Sequence, residues 1–270
     1  MPLAVCATPI GNLDDVTLRV LAELREADLV LCEDTRRTRI LLDRHGIRAR
    51  LESYHRHNEA ARTAEALAQL DQGVRVALVS DAGLPGVNDP GARLIAAALE
   101  AGFPVTVLPG ASAVETALVA SGLVGERYQF LGYLPRRAAQ LESLARELSA
   151  WPHAAVAFDS PRRLGVSLAA LACAMPERPA AVCRELTKRF EEVAYGTLHE
   201  LAERFAGGAR GEVTVVLGAV LPAEGAEVAS REALEVVAEL VAEGIPRRRA
   251  ADLVARLTGA STNALYRGSL

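Results

Sequence analysis

The sequence lacks the signatures of several common protein classes. Its four cysteines are widely spaced and follow neither a zinc-binding pattern nor a disulfide framework, so we expect buried, reduced thiols at Cys6, Cys32, Cys173 and Cys183. No apolar run approaches the roughly 18 residues needed to cross a bilayer, and no basic segment precedes the first apolar residues. These absences predict a cytoplasmic protein.

The net charge of the chain and the absence of several sequence motifs disfavour further functional classes. With a formal net charge of −4 over 270 residues, the chain has no general basic field, so any contact with nucleic acid needs a local patch. Residues 8–15, after the first predicted strand, do not read Gly-x-Gly-x-x-Gly, and no Walker sequence occurs. No arrangement of histidine and acid marks Ser112 as a hydrolase nucleophile. Nicotinamide binding, nucleotide hydrolysis and serine-hydrolase chemistry are therefore disfavoured.

Short apolar runs alternate with segments of helical periodicity, which predicts an α/β fold built from βαβ units. The first series has strands at residues 3–7, 29–32, 74–79 and 105–108, and helices near residues 18–25, 36–45, 60–70 and 92–101. The second begins with a helix at 113–121 and has strands at 129–132, 154–158, 180–183 and 213–217, separated by helices at 140–148 and 164–175. A run at 191–195 follows its neighbour closely, which predicts an antiparallel hairpin.

We therefore expect two α/β domains and a helical tail, with bounds at residues 1–110, 111–222 and 223–270. Residues 222–225 are a linker by composition. In the tail, a helix with one apolar face at 233–241 ends at Gly244, and a second helix begins at Pro246 and runs to about residue 257. The tail thus resembles a helix-turn-helix.

The second tail helix opens on Arg247, Arg248 and Arg249, and these residues leave two interpretations open. They are either a solvated face of a packed hairpin or a patch that contacts phosphates. Three arginines at the start of a helix oppose the positive end of its dipole, so they gain little there unless an anion is present.

A loop rich in glycine and proline, residues 80–91, follows the strand at 74–79 and is about twice as long as a plain strand-to-helix connection. Such a loop lets backbone amides approach a ligand at the carboxyl end of a strand. It carries two carboxylates, Asp81 and Asp89. The alternative interpretation is structural: Asp89 caps the next helix, with Pro90 at the first helical position.

Polar loops follow several other predicted strands, which favours a large cleft at the strand ends. Residues 33–38 form a charged cluster suited to a substrate rim, although Thr35 could instead cap the following helix. The small residues at 109–113 allow close approach of the backbone to a ligand. Charged segments also follow the strands that end near Phe158 and Cys183.

Together these segments resemble one family. In chain order they read Thr-Pro-Ile-Gly-Asn-Leu-x-Asp, Glu-Asp-Thr-Arg-x-Thr, Ser-Asp-Ala-Gly-x-Pro, Asp-Pro-Gly, Pro-Gly-x-Ser-Ala, Ser-Pro-x-Arg and Arg-Glu-Leu-Thr-Lys. From residue 3 to about residue 219 the chain is similar to the bacterial ribosomal RNA small subunit methyltransferase I family, of the tetrapyrrole methylase superfamily. The basic helical tail also matches that family.

The resemblance implies two α/β domains with S-adenosylmethionine in the cleft between them. It implies methylation of the ribose 2′-hydroxyl of a cytidine in 16S ribosomal RNA, and a homodimer. The superfamily's cofactor-binding positions fall on Pro9, Ile10, Asp81, Ala82, Gly83, Leu84, Ser112, Ala113, Phe158, Leu186, Val213 and Thr214. We expect the RNA to contact Glu33, Asp34, Thr35, Arg36, Arg184 and the arginines of the tail.

A ribose hydroxyl is a weak nucleophile, so a base or a charge-stabilising group helps the reaction. The candidates are Glu33, Asp34, Asp81, Glu185 and Lys188, and we rank Lys188 as electrostatic stabiliser and Glu185 as the residue that orients it. No metal is expected. The alternatives are another methylase of the superfamily, acting on a tetrapyrrole or a protein group, and a non-catalytic ribosome-binding factor.

Overall fold

The computed structural model describes residues 2–220 and 231–269. Contacts between residues divide the chain into two compact units, Met1–Ala219 and Val220–Leu270. The predicted linker at residues 222–225 lies outside the described residues. The predicted boundary near residue 110 falls inside the first unit and stays a prediction.

The first half of the larger unit is a parallel sheet covered by helices. Its strands are β1 (Leu3–Cys6), β2 (Leu29–Cys32), β3 (Leu51–Ser53), β4 (Val76–Val79) and β5 (Val105–Leu108). Their spatial order is β3-β2-β4-β1-β5, and every pair is parallel. The connecting helices are α1 (Leu18–Glu26), α2 (Thr35–Arg44), α3 (Glu59–Asp71) and α4 (Ala92–Glu100). The loops after β1, β4 and β5 therefore emerge side by side at one edge.

The three central strands β1, β2 and β4 are buried on both faces, as expected for a parallel sheet between layers of helices. Successive side chains of a strand point to opposite faces. In β1, Ala4 and Cys6 enter one core cluster with Val20 and Leu24 of α1, whereas Leu3 and Val5 enter the other. The continuous apolar strands of the sequence are explained by this double burial.

The second half is a mixed sheet. Its strands are β6 (Tyr128–Tyr133), β7 (Ala154–Asp159), β8 (Pro179–Arg184), β9 (Glu192–Thr197) and β10 (Val213–Leu217), in the order β6-β7-β10-β8-β9. β6 and β7 are parallel and the other pairs are antiparallel, which confirms the hairpin predicted for β8 and β9. The helices are α5 (Ala113–Ala120), α6 (Ala138–Ser149), α7 (Leu164–Ala174) and α8 (Leu198–Arg204).

Helix α5 connects the two sheets and packs on the second one. Its residues Val114 and Ala117 share a core cluster with Val156 of β7 and Val216 of β10, and Ile10 from the first half enters the same cluster. The carboxyl ends of β7 and β8 and the amino end of β10 lie at one edge, because β10 runs antiparallel to both neighbours. The edge residues of this sheet can thus face the loops of the first.

In the described residues 231–269, the smaller unit has the helices α9 (Arg231–Ala242), α10 (Arg247–Thr258) and α11 (Thr262–Gly268). Val237, Ala250, Val254 and Leu265 are buried in its own core. Helix α10 ends at Gly259, whose φ of +74° is the left-handed conformation that glycine adopts at helix ends. The predicted helical tail is thereby confirmed as a separate core of helices.

One cysteine contradicts the expectation of buried thiols. Each of the four cysteines, all within residues 2–220, is free, but Cys173 is exposed because it lies on the solvent side of α7. Burial raises the pKa of Cys6 and of Cys183 to about 12, so these two thiols stay protonated. In the described parts of the chain, no helix is long and apolar enough to span a bilayer.

Candidate functional site

A cleft of about 710 Å³ lies where the loops of the first sheet meet the edge of the second. The loops after β1, β4 and β5 form one wall, and residues at the ends of β6, β7 and β10 form the other. Open α/β sheets bind ligands outside the carboxyl ends of their strands. The volume falls in the usual range of roughly 300–1,000 Å³ for ligand sites.

The structure brings most of the predicted cofactor positions together. Eleven of the twelve residues line this cleft: Ile10, Asp81, Ala82, Gly83, Leu84, Ser112, Ala113, Phe158, Leu186, Val213 and Thr214. Pro9 lines a smaller pocket of about 200 Å³, which shares Ile10, Asp81 and Ala82 with the cleft. Their roles as cofactor contacts stay predictions.

The loop at 80–91 is fastened to the loop after β1. Thr8 and Gly83 exchange two backbone hydrogen bonds of 2.8 and 3.0 Å, in an isolated antiparallel bridge. The Thr8 hydroxyl donates to the Ser80 carbonyl at 3.0 Å, and the Ser80 hydroxyl donates to the Gly83 carbonyl at 3.1 Å. Gly83 has a φ of +74°, which a side chain rarely tolerates. The glycine-rich segment is therefore a fixed wall.

Two carboxylates, Asp81 on the wall of the cleft and Glu33 behind it, lie close enough to influence each other. Asp81 accepts the backbone amide of Asp34 at 3.0 Å and lies 3.5 Å from the Arg37 guanidinium. Burial raises the pKa of Asp81, and burial together with the Asp81 charge raises the pKa of Glu33. These carboxylates destabilise one another, because like charges in a partly dry site disfavour the ionised forms.

The predicted substrate rim at residues 33–36 is in part a helix cap. Asp34, not Thr35, is the cap of α2: its carboxylate accepts the Arg36 amide at 2.9 Å. The alternative role of Thr35 as the cap is therefore wrong, because Thr35 is already the first helical residue. Asp34 also binds the Arg36 guanidinium, and these hydrogen bonds hold its pKa far below the usual value. Neither Glu33, Asp34, Thr35 nor Arg36 lines the cleft.

The structural interpretation of Asp89 is wrong. Helix α4 begins at Ala92, its cap position is Gly91 with a φ of +136°, and no side chain caps it. Asp89 and Pro90 therefore precede the helix. Asp89 lines the cleft instead. Burial, with the charges of Glu33 and Asp81, raises its pKa to about 6, and Arg56 opposes this effect.

Lys188 and Glu185 belong to a salt-bridged cluster beside the cleft. The Lys188 ammonium donates to Glu185 at 3.1 Å and to Glu212 at 2.8 Å, and it lines the smaller pocket. Burial alone would lower the pKa of Lys188, but the two carboxylates outweigh it and raise the pKa. Lys188 is thus a cation whose charge is already compensated. Its role as stabiliser and the orienting role of Glu185 stay predictions.

Other predicted or missed residues complete the surroundings. Arg184 forms an ion pair with Glu192 of the neighbouring strand and does not line the cleft. Ser112 occupies the cap position of α5 but makes no capping bond, because its hydroxyl donates to Glu115. Tyr128 and Tyr133 line the cleft and belong to no motif of the sequence. Both lie just outside the strand predicted at residues 129–132, and the structure extends that strand to include them.

The three arginines of the tail lie at the start of α10, in the smaller unit. Arg248 and Arg249 are exposed, and Arg247 is partly buried. Within residues 231–269, as far as the structure describes them, none of the three forms an ion pair or a side-chain hydrogen bond. No acidic residue lies in the first turn to compensate them.

The chain matches two described protein families. The family described as Tetrapyrrole (Corrin/Porphyrin) Methylases matches residues 2–202, and the family described as RsmI C-terminal HTH domain matches residues 227–268. The ribosomal RNA small subunit methyltransferase I of Mesorhizobium japonicum is 45% identical over 268 residues, which cover 98% of this chain and 90% of that protein.

Solved structures agree on the fold. The methyltransferase CobJ superposes with a TM-score of 0.62 at 24% identity, over 81% of this chain and 94% of that one. A uroporphyrin-III C-methyl transferase from Thermus thermophilus, complexed with S-adenosyl homocysteine, has a TM-score of 0.59 at 19% identity, over 81% and 97% of the two chains. With a relative this similar over nearly its full length, and two sheets arranged as in the tetrapyrrole methylases, the chain belongs to the ribosomal RNA small subunit methyltransferase I family.

Proposed function

We propose that this chain transfers the methyl group of S-adenosylmethionine to the ribose 2′-hydroxyl of a cytidine in the 16S RNA of the small ribosomal subunit. The reaction class and the type of RNA follow from the family, whose relatives carry the name ribosomal RNA small subunit methyltransferase I. The observation that carries the proposal is the convergence of the ordered motif residues on one cleft.

The cleft suits S-adenosylmethionine. Ile10, Phe158, Leu186 and Val213 offer an apolar wall for an adenine ring. Residues 109–113 are small, and a Cβ atom on Gly110 would lie 2.9 Å from that of Ala7, so the backbone is packed closely here. Asp81 faces the same space and attracts a cationic ligand. When bound, the cofactor supplies a methyl group on a positively charged sulfur.

The residues of this chain contribute chiefly by positioning. A rigid wall on one side and aromatic side chains on the other fix the approach of the hydroxyl to the methyl group, and orientation of this kind supplies much of the rate of a transfer reaction. Phe158 packs edge to face against Phe130 and Tyr133, with ring centroids 5.0 and 5.6 Å apart, so its ring is held in place.

Two of the five candidate residues are disfavoured as bases by their protonation state, which leaves the predicted role of Lys188 as electrostatic stabiliser untouched. Asp34 is strongly acidic because it is bound to Arg36, and a carboxylate of very low pKa is a poor proton acceptor. Lys188 is held in its charged form by two carboxylates and has no free electron pair at neutral pH. Glu33, Asp81 and Glu185 stay open on this criterion.

The decisive experiment maps ribose methylation on 16S RNA from a strain without this protein. We expect one cytidine to lose its 2′-O-methyl group and to regain it when the gene is restored. An unchanged methylation pattern would contradict the proposal. Titration with S-adenosylmethionine by calorimetry separates the alternatives, because a non-catalytic ribosome-binding factor has no need to bind it, and a tetrapyrrole methylase would bind it without methylating the subunit.

We also propose that the protein is a cytoplasmic homodimer. Strand β5 is the edge of the first sheet, and its Val107 is exposed, as is Val119 of α5. Exposed apolar side chains on an unpaired sheet edge are typical of surfaces that associate. Light scattering at micromolar concentration is expected to give twice the 28.6 kDa of the chain, and a monomeric mass would contradict the proposal.

A further inference from the structure

One carboxylate of the cleft differs from the others in having no partner. Five acidic side chains line the cleft: Asp81, Asp89, Glu115, Asp159 and Glu212. Asp81 accepts the Asp34 amide, Glu115 binds Ser112 and Tyr128, Asp159 binds Arg163, and Glu212 binds Lys188. Within the described residues, Asp89 accepts no hydrogen bond and forms no ion pair.

The backbone holds Asp89 firmly on both sides. The preceding Asn88 has a φ of +63°, and its carbonyl accepts the Arg56 guanidinium at 2.8 Å. The Gly91 amide donates to Glu59 at 3.3 Å, and the Gly86 amide donates to the Pro90 carbonyl at 3.3 Å. Asn adopts the left-handed conformation more readily than most residues other than glycine. The backbone contacts on both sides of Asp89 fix its place on the wall of the cleft.

The surroundings make the ionised carboxylate unfavourable. Asp89 is partly buried, and the charged or titratable groups that face it are Glu33 at the end of β2, Asp81 at the end of β4, Arg56 after β3, and Tyr133 at the end of β6. Burial and the two acids raise the pKa of Asp89 to about 6, with Arg56 acting in the opposite direction. Such a group is mostly ionised at neutral pH and still basic enough to take a proton.

We propose that Asp89 is the general base of the methyl transfer, accepting the proton of the attacking ribose hydroxyl at a carboxylate oxygen. This inference rests on the proposed function. It assigns a role to a residue for which the sequence left two interpretations open, a carboxylate that faces a ligand and a helix cap. Three features carry it together: the position of Asp89 on the wall of the cleft, its lack of any partner in the described chain, and the backbone that fixes it.

The proton and electron balance is simple. The bond between the ribose oxygen and the methyl carbon forms as the bond between that carbon and sulfur breaks, and the electron pair of the broken bond stays on sulfur. The hydroxyl proton passes to Asp89, which becomes a neutral carboxylic acid. Above its pKa, Asp89 then returns the proton to water and the unmodified carboxylate is restored.

The central test is the Asp89→Asn variant in single turnover, with enzyme in excess over small ribosomal subunits and a radiolabelled methyl donor. We expect the rate of methyl transfer to fall by roughly 10²- to 10⁴-fold, the usual contribution of a general base. The affinity for S-adenosylmethionine, measured by calorimetry, is expected to stay unchanged. Asp71→Asn, at the exposed end of α3, is the matched control and keeps the full rate.

The pH profile gives a second readout. The rate of the unaltered protein is expected to rise through an apparent pKa near 6 as Asp89 ionises. This acidic limb disappears in Asp89→Asn, because the amide does not titrate. Asp89→Glu keeps a carboxylate on a longer side chain, so it is expected to restore part of the rate and the acidic limb.

The third readout is the pH dependence of stability, which can be measured without any enzymatic activity. The folded pKa of about 6 lies above the roughly 3.9 of an unfolded aspartate, so ionised Asp89 lowers stability at pH values above its folded pKa. Below the unfolded pKa both states are protonated and the penalty vanishes. We expect Asp89→Asn to raise Tm at pH values above the folded pKa and to match the unaltered protein in acid.

The outcomes separate cleanly. A single-turnover rate or acidic limb unchanged in Asp89→Asn overturns the inference while leaving the proposed function intact. A fall in rate accompanied by weaker cofactor binding or a lower Tm also overturns it, since that combination indicates a structural role. If the unaltered protein methylates no ribosomal subunit, the proposed function fails, and the inference fails with it.

Discussion

At the residue scale, Asp81 both holds a structural hydrogen bond and lines the cleft, so a single substitution would change both at once. One carboxylate oxygen accepts the Asp34 amide at 3.0 Å, which joins the end of β4 to the start of α2, and the side chain also lines the cleft. Its pKa is raised by burial, although Arg37 and the Asp34 amide oppose that change. Removal of Asp81 therefore affects both the local structure and any ligand beside it.

We predict that Asp81→Ala weakens S-adenosylmethionine binding by about 1.5–3 kcal/mol, the value of a charge-assisted hydrogen bond, or roughly 10- to 150-fold in Kd. Calorimetry measures the change, and circular dichroism checks that the fold is intact. Asp81→Asn keeps an oxygen for the Asp34 amide but removes the charge. An equal loss in both variants assigns the effect to the charge, whereas unchanged affinity in folded Asp81→Ala removes Asp81 from the site.

Asp81 and Asp89 also show what a sequence can reveal about single residues. The composition of residues 80–91 was enough to predict that both carboxylates lie in a loop beside a cleft, and both line the cleft in the structure. That the loop binds a ligand stays a prediction. The sequence could not tell which of the two has partners. That depends on Arg37 and on the Asp34 amide, which are distant in the chain and reach Asp81 only through the packing of β2 beside β4.

At the scale of elements, two loops from opposite halves lock together beside the cleft. A Cβ atom on Gly11 would lie 2.6 Å from the Thr187 hydroxyl and 2.8 Å from the Leu186 carbonyl. The Asn12 amide donates to the Thr187 hydroxyl at 2.9 Å. Glu185 and Thr187 both have positive φ values, +49° and +64°. Strain of this kind is held in place by the contact with the first loop.

We predict that Gly11→Ala lowers the free energy of unfolding by about 1–3 kcal/mol, as overpacking does, and weakens cofactor binding. The reason is that a backbone carbonyl cannot move aside as a flexible side chain could. Urea denaturation measures the change.

Gly207→Ala is the matched control for the Gly11 variant. A Cβ atom on Gly207 meets nothing within 4 Å, and the residue has no positive φ. Its substitution is expected to be neutral or to stabilise by roughly 0.4–1 kcal/mol. Equal stabilities of the two variants would contradict the importance of the contact between the loops.

The helices and strands differ in how well the sequence predicts them. The long apolar strands and amphipathic helices were predicted within a few residues, because burial on fixed faces imposes a period on the sequence. Strand β3 was missed, since Leu51–Ser53 is short and only partly buried. Helix α8 was missed despite a usable signal: Thr197 and Glu200 form a capping box at its start. The cap of α2 was ambiguous because Asp34 and Thr35 are both good caps.

At the scale of the whole molecule, the sequence predicted the fold class but not the order of the strands within the two sheets. The alternation of strands and helices indicated two α/β halves, but the insertion of β4 between β2 and β1, and of β10 between β7 and β8, follows from tertiary packing. The location of the cleft was predicted better than its chemistry, because polar residues after successive strands converge whatever the strand order. The ion-pair partners of Lys188 and Arg184 could not be predicted, because tertiary packing decides which charged residues meet, as it does for Asp81.

The smaller unit carries the proposed contact with RNA. Arg247, Arg248 and Arg249 open α10 without an acidic residue in the first turn, and none of them has an ion-pair partner in the described part of the chain. The helix dipole disfavours cations at this end by a few tenths of a kcal/mol or more each. A bound phosphate would offset that cost, because it interacts favourably with the arginines and with the helix dipole. We therefore expect an anionic partner at this patch.

We predict that changing all three arginines to alanine weakens binding of the small ribosomal subunit and leaves S-adenosylmethionine affinity unchanged. If the variant loses its contacts with three RNA phosphates, the slope of log affinity against log salt becomes shallower by roughly two to three units, at about 0.7–0.9 per contact. Binding of labelled subunits over a series of salt concentrations measures the slope. The corresponding change to three lysines keeps the charge, and its slope is expected to match that of the unaltered protein.

A structural role for the arginines makes the opposite prediction. Alanine is the best helix former, so the triple alanine variant is not expected to unfold α10 through propensity. If the arginines instead stabilise the helical core by packing their aliphatic stems, the variant would lose Tm while its salt slope stayed parallel to that of the unaltered protein. An unchanged salt slope, together with intact methylation of the subunit, would contradict the interpretation that the arginines contact RNA phosphates. The arginines would then be a solvated face, and the RNA contact would have to be sought elsewhere on the protein.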